Sequence, residues 1–182
     1  MAAAVGDADI ACILLRFRAT ADDNLIRAAA ARVSAIVRTH DIALLLDGRA
    51  DLVRQSGSDG VHLARVEDYA AARRLIADGI VGVGSASRHD AMLAGEQGAD
   101  YVAFGDFDDA APTAATIALA EWWGEAMTVP CVAGGCAQAD HAAVLAKAGA
   151  DFVAVGGVAW ANPAGLATLL CDIAAAAESA VR

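Results

Sequence analysis

Apolar and polar positions along the chain alternate between two periods. Short runs that are apolar along most of their length fall at 10–16, 42–46, 60–63, 80–83, 101–105, 129–133 and 152–156. Longer, Ala-rich stretches with helical spacing of apolar residues lie between them, near 22–39, 49–55, 66–77, 88–97, 113–127 and 138–148. A closing helix is predicted at 163–179. Strands lacking a polar face, each followed by a helix, predict a parallel sheet covered on both sides.

A local grammar repeats within this pattern. The segments "GSDGVHL" (57–63), "GADYVAFG" (98–105) and "GADFVAVGG" (149–157) each use glycine to end a helix in the left-handed region. A small residue and an aspartate then make a tight turn, and an apolar strand follows. The helices "RHDAMLAGEQGAD" and "QADHAAVLAKAGAD" run into the same turn. Such half-repeats predict a TIM (β/α)8-type barrel, with a doubly wound open sheet as the alternative that uses the same turns. Seven strands are legible where a closed barrel of this class has eight, and "MAAAVGDAD" reads as the end of a helix and its turn. The expected fold is therefore a barrel lacking its first strand and helix. No linker, low-complexity tract or charge block divides residues 1–182, so one domain is expected.

Composition narrows the function classes. The apolar fraction of 58% comes largely from alanine, and no apolar run reaches the roughly 18 residues of a membrane span. The N-terminus has no basic region before an apolar stretch, so a cytoplasmic protein is expected. A net charge of -10 argues against nucleic acid or an anionic membrane as partner. Any anionic ligand must be held by local cations or by backbone N–H groups. Cys12, Cys131, Cys136 and Cys171 form no C-x-x-C pair and read as small hydrophobes. Of Trp122 and Trp123, one should pack on the barrel, and the other is a candidate contact in a homo-oligomer.

Candidate chemistry clusters at predicted strand ends. Gly134 and Gly135 follow one strand, and Gly156 and Gly157 follow the next. Glycine there lets backbone N–H groups approach a phosphate, so a phosphorylated small molecule is the expected partner. The segment "VAWANPAG" could supply a short helix with Asn162 as N-cap and Pro163 at its first position. Arg16 and Arg18 end the first strand two residues apart, on one side of the chain, where they could receive a diphosphate. Solvated arginines are the competing reading. Asp47 closes the second strand, Asp51 reads as a first-turn helix charge, and His62 reads as a core histidine. Asp47 and Glu67 together could hold Mg²⁺. Asp106, Asp108 and Asp109 make an acidic loop without lysine, read as a solvated one.

In the stretches "LLRFR", "IALLLDGRADLVRQSGSDGVHL", "GVGSASRHDAMLAGEQGADYVAFG" and "VPCVAGGCAQADHAAVLAKAGADFVAVGGVAW" the chain resembles the thiamine phosphate synthase family. The resemblance implies a TIM barrel that joins hydroxymethylpyrimidine diphosphate to a thiazole phosphate, releasing pyrophosphate with Mg²⁺. It implies thiazole-phosphate contacts at Gly134 and Gly135, and a diphosphate contact at Arg16. Several family positions differ. The usual lysine is Arg18, the usual glutamine is Leu14, and the Asn-Asp pair reads Asp47-Gly48. The second metal aspartate falls at Glu67, the usual Gly-Gln is Ala64-Arg65, and an expected serine is Gly84 with Ser85 beside it. The Thr/Lys-rich substrate loop has become the acidic stretch 106–113. Two functions are left open. One is a synthase of thiamine biosynthesis; the other is a non-catalytic, or thiazole-tautomerase-like, barrel that binds a phosphorylated metabolite.

Overall fold

The computed structural model describes residues 8–160 and 163–181. Its single sheet holds seven parallel strands: β1 (Cys12–Leu15), β2 (Ala43–Asp47), β3 (Gly60–Leu63), β4 (Ile80–Gly84), β5 (Tyr101–Phe104), β6 (Cys131–Ala133) and β7 (Phe152–Val153). They pair in chain order, so every connection is a crossover to the next neighbour. The helices are α1 (Asp23–Val37), α2 (Val53–Ser56), α3 (Tyr69–Leu75), α4 (Arg88–Gln97), α5 (Ala114–Ala126), α6 (Ala139–Lys147), α7 (Gly157–Trp160) and α8 (Leu166–Val181). The result is a curled, incomplete (β/α) barrel in which β1 and β7 are the edges among the described residues. No helix among those residues is long and apolar enough to cross a membrane.

The repeated turn does more than reverse the chain. Gly57, Gly98 and Gly149 all take positive φ (69°, 89° and 86°), ending their helices as the sequence predicts. The aspartate two residues later then reaches across to the preceding strand. Asp59 Oδ2 accepts from the Leu44 N–H at 2.7 Å, Asp100 Oδ2 from Val81 at 2.8 Å, and Asp151 Oδ2 from Cys131 at 2.8 Å. One sequence motif thus satisfies a strand-start N–H three times over, at the amino end of the sheet.

The core lies between the sheet and its helices. Leu44, Leu46, Val61, Val81, Val83 and Phe104 are almost completely buried there. Trp123 packs edge-on to Phe104, and its indole N–H donates to the Val129 carbonyl at 2.7 Å. Trp122 is half-buried, with the Arg88 guanidinium 4.9 Å from its ring centre. Cys131 and Cys136 are buried, and burial raises both thiols to about 11, which fits the reading of inert small hydrophobes.

Several predicted elements differ: β6 and β7 are shorter than the runs at 129–133 and 152–156, and the closing helix begins at Leu166 instead of 163. Residues 49–55 form a 3-10 turn (Ala50–Leu52) and then α2, because Gly48 and Gly57 take positive φ on either side and leave room for little more. The stretch 66–77 opens with the 3-10 turn Val66–Asp68 before α3, since no side chain caps its start. The short helix after β7 begins at Gly157, earlier than expected. An Asp108 carboxylate oxygen accepts the Gly157 N–H at 3.0 Å, and the Ala159 N–H returns to Gly156 at 3.1 Å. Pro163 lies in the turn before α8 instead of inside a helix, and Asn162 falls outside the described residues.

Candidate functional site at the carboxyl end of the sheet

The register of the strands brings unlike side chains together inside the curl. Asp47 of β2 pairs with His62 of β3, which pairs with Gly82 of β4, which pairs with Tyr101 of β5. Gly82 is a space-making residue, since a Cβ there would strike the Tyr101 ring. The Tyr101 hydroxyl lies 3.0 Å from His62 Nδ1, and the two rings stack with centroids 5.8 Å apart. The Phe107 ring packs against the imidazole at a tilt, with centroids 5.1 Å apart. Burial, reinforced by the Arg16 charge and opposed by Asp47, pulls His62 down to about 4. It is neutral at physiological pH. Burial also raises the Tyr101 phenol, so it stays protonated.

Above these residues a cavity of about 490 Å³ opens at the carboxyl ends of the strands. Arg16, Asp47, His62, Ser85, Phe107 and Thr116 are among its walls. A smaller apolar cleft of about 260 Å³, beside Met92 and Trp123, shares no residue with it. The Ser85 hydroxyl, in the larger cavity, is buried without a hydrogen-bond partner, alone in this among the described residues. An unpaired buried hydroxyl facing a cavity is a ready contact for a polar ligand.

Arg16 is the electrostatic centre. Its Nε donates to Asp47 Oδ2 at 3.0 Å, and its Nη1 contacts Asp108 Oδ2 at 2.7 Å and Asp106 Oδ1 at 3.9 Å. Burial opposes the charged guanidinium, but the Asp47 hydrogen bond and the three carboxylate charges outweigh it and raise its pKa. Arg18 is exposed, does not line the cavity, and lends its carbonyl to the Ala21 N–H at 2.8 Å. Asp51 pairs with Arg49 at 2.8 Å, outside the cavity, as its reading as a helix-start charge implies.

The four glycines meet one partner. Gly134, Gly135, Gly156 and Gly157 all lie against the acidic loop 105–113. A Cβ on Gly134 would come within 2.7 Å of the Asp106 carbonyl, and one on Gly135 within 2.7 Å of Ala111. One on Gly156 would strike the Phe107 carbonyl. The loop is largely exposed, as the sequence predicts, and it also crosses the site from Arg16 to the glycines. Its aspartates were invisible as Arg16 partners because 92 residues separate Arg16 from Asp108.

Mg²⁺ finds no ligand set in this conformation. Asp47 is committed to Arg16, Glu67 is exposed on its 3-10 turn outside the cavity, and no cluster of three His, Cys, Asp or Glu side chains suits a metal among the described residues. Of the two residues expected to hold Mg²⁺, Asp47 lines the cavity and Glu67 does not, and the cation at the site is Arg16.

Comparison with known proteins agrees with this architecture. The protein is similar to the thiamine-phosphate synthase of Rhodospirillum centenum, with 45% identity over 94% of this chain and 86% of that one. Its fold matches a thiamine phosphate pyrophosphorylase from Pyrococcus furiosus with a TM-score of 0.84 at 21% identity, covering 100% of this chain and 89% of the other. It also matches the (S)-3-O-geranylgeranylglyceryl phosphate synthase of Thermoplasma acidophilum, solved with sn-glycerol-1-phosphate, at a TM-score of 0.74 and 16% identity over 98% and 85% of the two chains. Residues 1–158 match the model of the thiamine monophosphate synthase family, and the chain belongs to that family.

Proposed function

We propose that the protein is a thiamine phosphate synthase, a transferase that joins hydroxymethylpyrimidine diphosphate to thiazole phosphate and releases pyrophosphate. The observation that carries this reading is the Arg16–Asp47 pair, held over a 490 Å³ cavity at the carboxyl ends of the strands. Arg16 offers two-point donation to a diphosphate, and Asp47 orients it. Arg18 flanks the same strand end as a second cation. Gly134, Gly135, Gly156 and Gly157 form the thiazole-phosphate side: the Gly134 N–H is taken by the Phe104 carbonyl at 2.8 Å, so the N–H groups of Gly135, Gly156 and Gly157 are the ones that can hold an anion in an acidic protein. His62, neutral and braced by Tyr101, gives the cavity floor a fixed polar face. Charge that develops on the departing pyrophosphate is stabilised by Arg16. The test is formation of thiamine phosphate from the two precursors, assayed with and without Mg²⁺. Absence of product under both conditions overturns the reading.

A second reading rests on the acidic loop, which places two aspartates on the cation a diphosphate needs. In that reading the protein binds a phosphorylated thiazole or thiamine without turnover. It predicts a rise in melting temperature with thiamine phosphate and no product from the precursors.

A further inference from the structure

The Asp108 carboxylate joins the two halves of the site. Oδ2 lies 2.7 Å from Arg16 Nη1, after β1, while Oδ1 accepts the Gly157 N–H at 3.0 Å, after β7. These are one donor from the diphosphate side and one from the glycine side. The loop that carries Asp108 is shaped to present it. Asp106 Oδ1 accepts from the Asp108 N–H at 3.0 Å, and the Asp109 N–H bonds to the Asp106 carbonyl at 3.3 Å. The backbone of the loop rests on the bare faces of Gly134, Gly135 and Gly156, where any side chain would push it off.

We propose that the loop 105–113 is a self-closed lid whose latch is Asp108, an internal anion that competes with the phosphate groups of substrate for Arg16 and the Gly157 N–H. This rests on the site assignment made under the proposed function. With the lid shut, three carboxylates surround one guanidinium and the locality repels a diphosphate. Opening removes Asp106 and Asp108 and leaves the Arg16–Asp47 pair facing the cavity. Both latch contacts are half-exposed, with side-chain exposures of 43% for Arg16 and 58% for Asp108, so they are weak enough to yield to a multivalent anion. The latch therefore favours ligands that carry several phosphate oxygens over single carboxylates.

The experiment is amide exchange by NMR on the full chain, with Asp108→Ala, Asp108→Asn and Asp109→Asn as variants and inorganic pyrophosphate as the probe. Asp109→Asn removes the same charge from the same loop without touching either donor. The latch predicts that Asp108→Ala speeds exchange at Gly157 and across 105–113, while Asp109→Asn does not. It predicts that both Asp108 variants bind pyrophosphate about threefold more tightly than the unaltered chain, the size of one exposed ion pair. Pyrophosphate added to the unaltered chain should itself raise exchange at the loop. Unchanged Gly157 exchange in Asp108→Ala overturns the latch, and equal or weaker pyrophosphate binding in both Asp108 variants overturns the competition. Loop exchange is read without any turnover, so a failed synthase assay leaves this result standing, and a failed latch leaves the synthase reading standing.

Discussion

The two ends of the sheet are built on opposite principles. At the amino end one device recurs: a left-handed glycine followed two residues later by an aspartate that caps the neighbouring strand. At the carboxyl end glycines recur after the strands, but the side chains of the site do not. Arg16, Asp47 and His62 are each used once, Tyr101 reaches His62 from the start of β5, and an acidic loop contacts Arg16 and His62. Repetition suits a task that recurs at every second strand, satisfying the first N–H of the strand before it. A site must instead collect different groups at one place, so its residues come from unlike positions on several strands. The comparison makes a plain forecast. Substitutions at the amino end should cost stability and spare chemistry, and those at the carboxyl end should do the reverse.

The largest expected effect tests the second half of that forecast. Arg16→Ala should lower thiamine phosphate formation by about 10²-fold, the usual loss when a donor to developing negative charge is removed. Its ion pairs are partly exposed, so unfolding free energy should change by no more than about 1 kcal/mol. Urea unfolding and steady-state turnover on the same sample check both. A large stability loss would show that Arg16 is a structural clamp across the loop.

Asp100→Ala tests the first half. It leaves the buried Val81 N–H unsatisfied and breaks the 2.6 Å pair with Arg73. A loss of about 1–3 kcal/mol is expected in urea unfolding, with kcat unchanged. Asp59 and Asp151 hold equivalent positions, so their alanine variants should fall in the same range. If only one of the three is costly, the repeat is a sequence likeness without a shared energetic role.

These two outcomes also measure what the sequence alone could disclose. The Gly-x-Asp turns were legible because their geometry is local. That each aspartate caps the neighbouring strand was not, because strand register decides it. Likewise the paired glycines lie past the carboxyl ends of β6 and β7, Gly134 directly after β6 and Gly156 three residues beyond the end of β7. The loop lying on them comes from distant chain, with 49 residues between Asp108 and Gly157, and periodicity carries no signal of that. His62 read as a core histidine and is indeed buried against Tyr101, yet it also forms a cavity wall. The start of α7 was missed for the same long-range reason, since a side chain from another loop accepts its first N–H.

His62 belongs to both ends of the comparison, being core by burial and site by position. Its pKa is lowered from 6.5 to about 4 in the folded protein, so between those values the unfolded chain binds more protons. Stability gained from the neutral ring is therefore complete above the unfolded pKa and declines as pH falls from about 6.5 towards 4. Between pH 7.5 and pH 5 the loss should be about 2 kcal/mol. His62→Gln should flatten that slope, measured by urea unfolding at the two pH values. Arg16→Ala should reduce it slightly, because the Arg16 charge helps depress the imidazole. An unchanged slope in His62→Gln would place the acid sensitivity elsewhere.

The smallest effect separates the two arginines of the first strand end. They share chemistry and lie two residues apart, but only Arg16 enters the cavity, while Arg18 stays exposed. A solvated arginine at the mouth can attract a diphosphate without gripping it, and its contribution falls with ionic strength. Arg18→Ala should then raise KM for the pyrimidine diphosphate by about fivefold, equal to roughly 1 kcal/mol, with kcat nearly constant. In 0.5 M salt the difference should shrink, because the Debye length falls to about 4 Å and long-range attraction is screened. Arg16→Ala should lose kcat at either salt concentration. If Arg18→Ala also lowers kcat and the loss persists in salt, Arg18 swings into the cavity when the loop 105–113 opens. The carboxyl end would then hold a second catalytic cation that the closed conformation keeps outside.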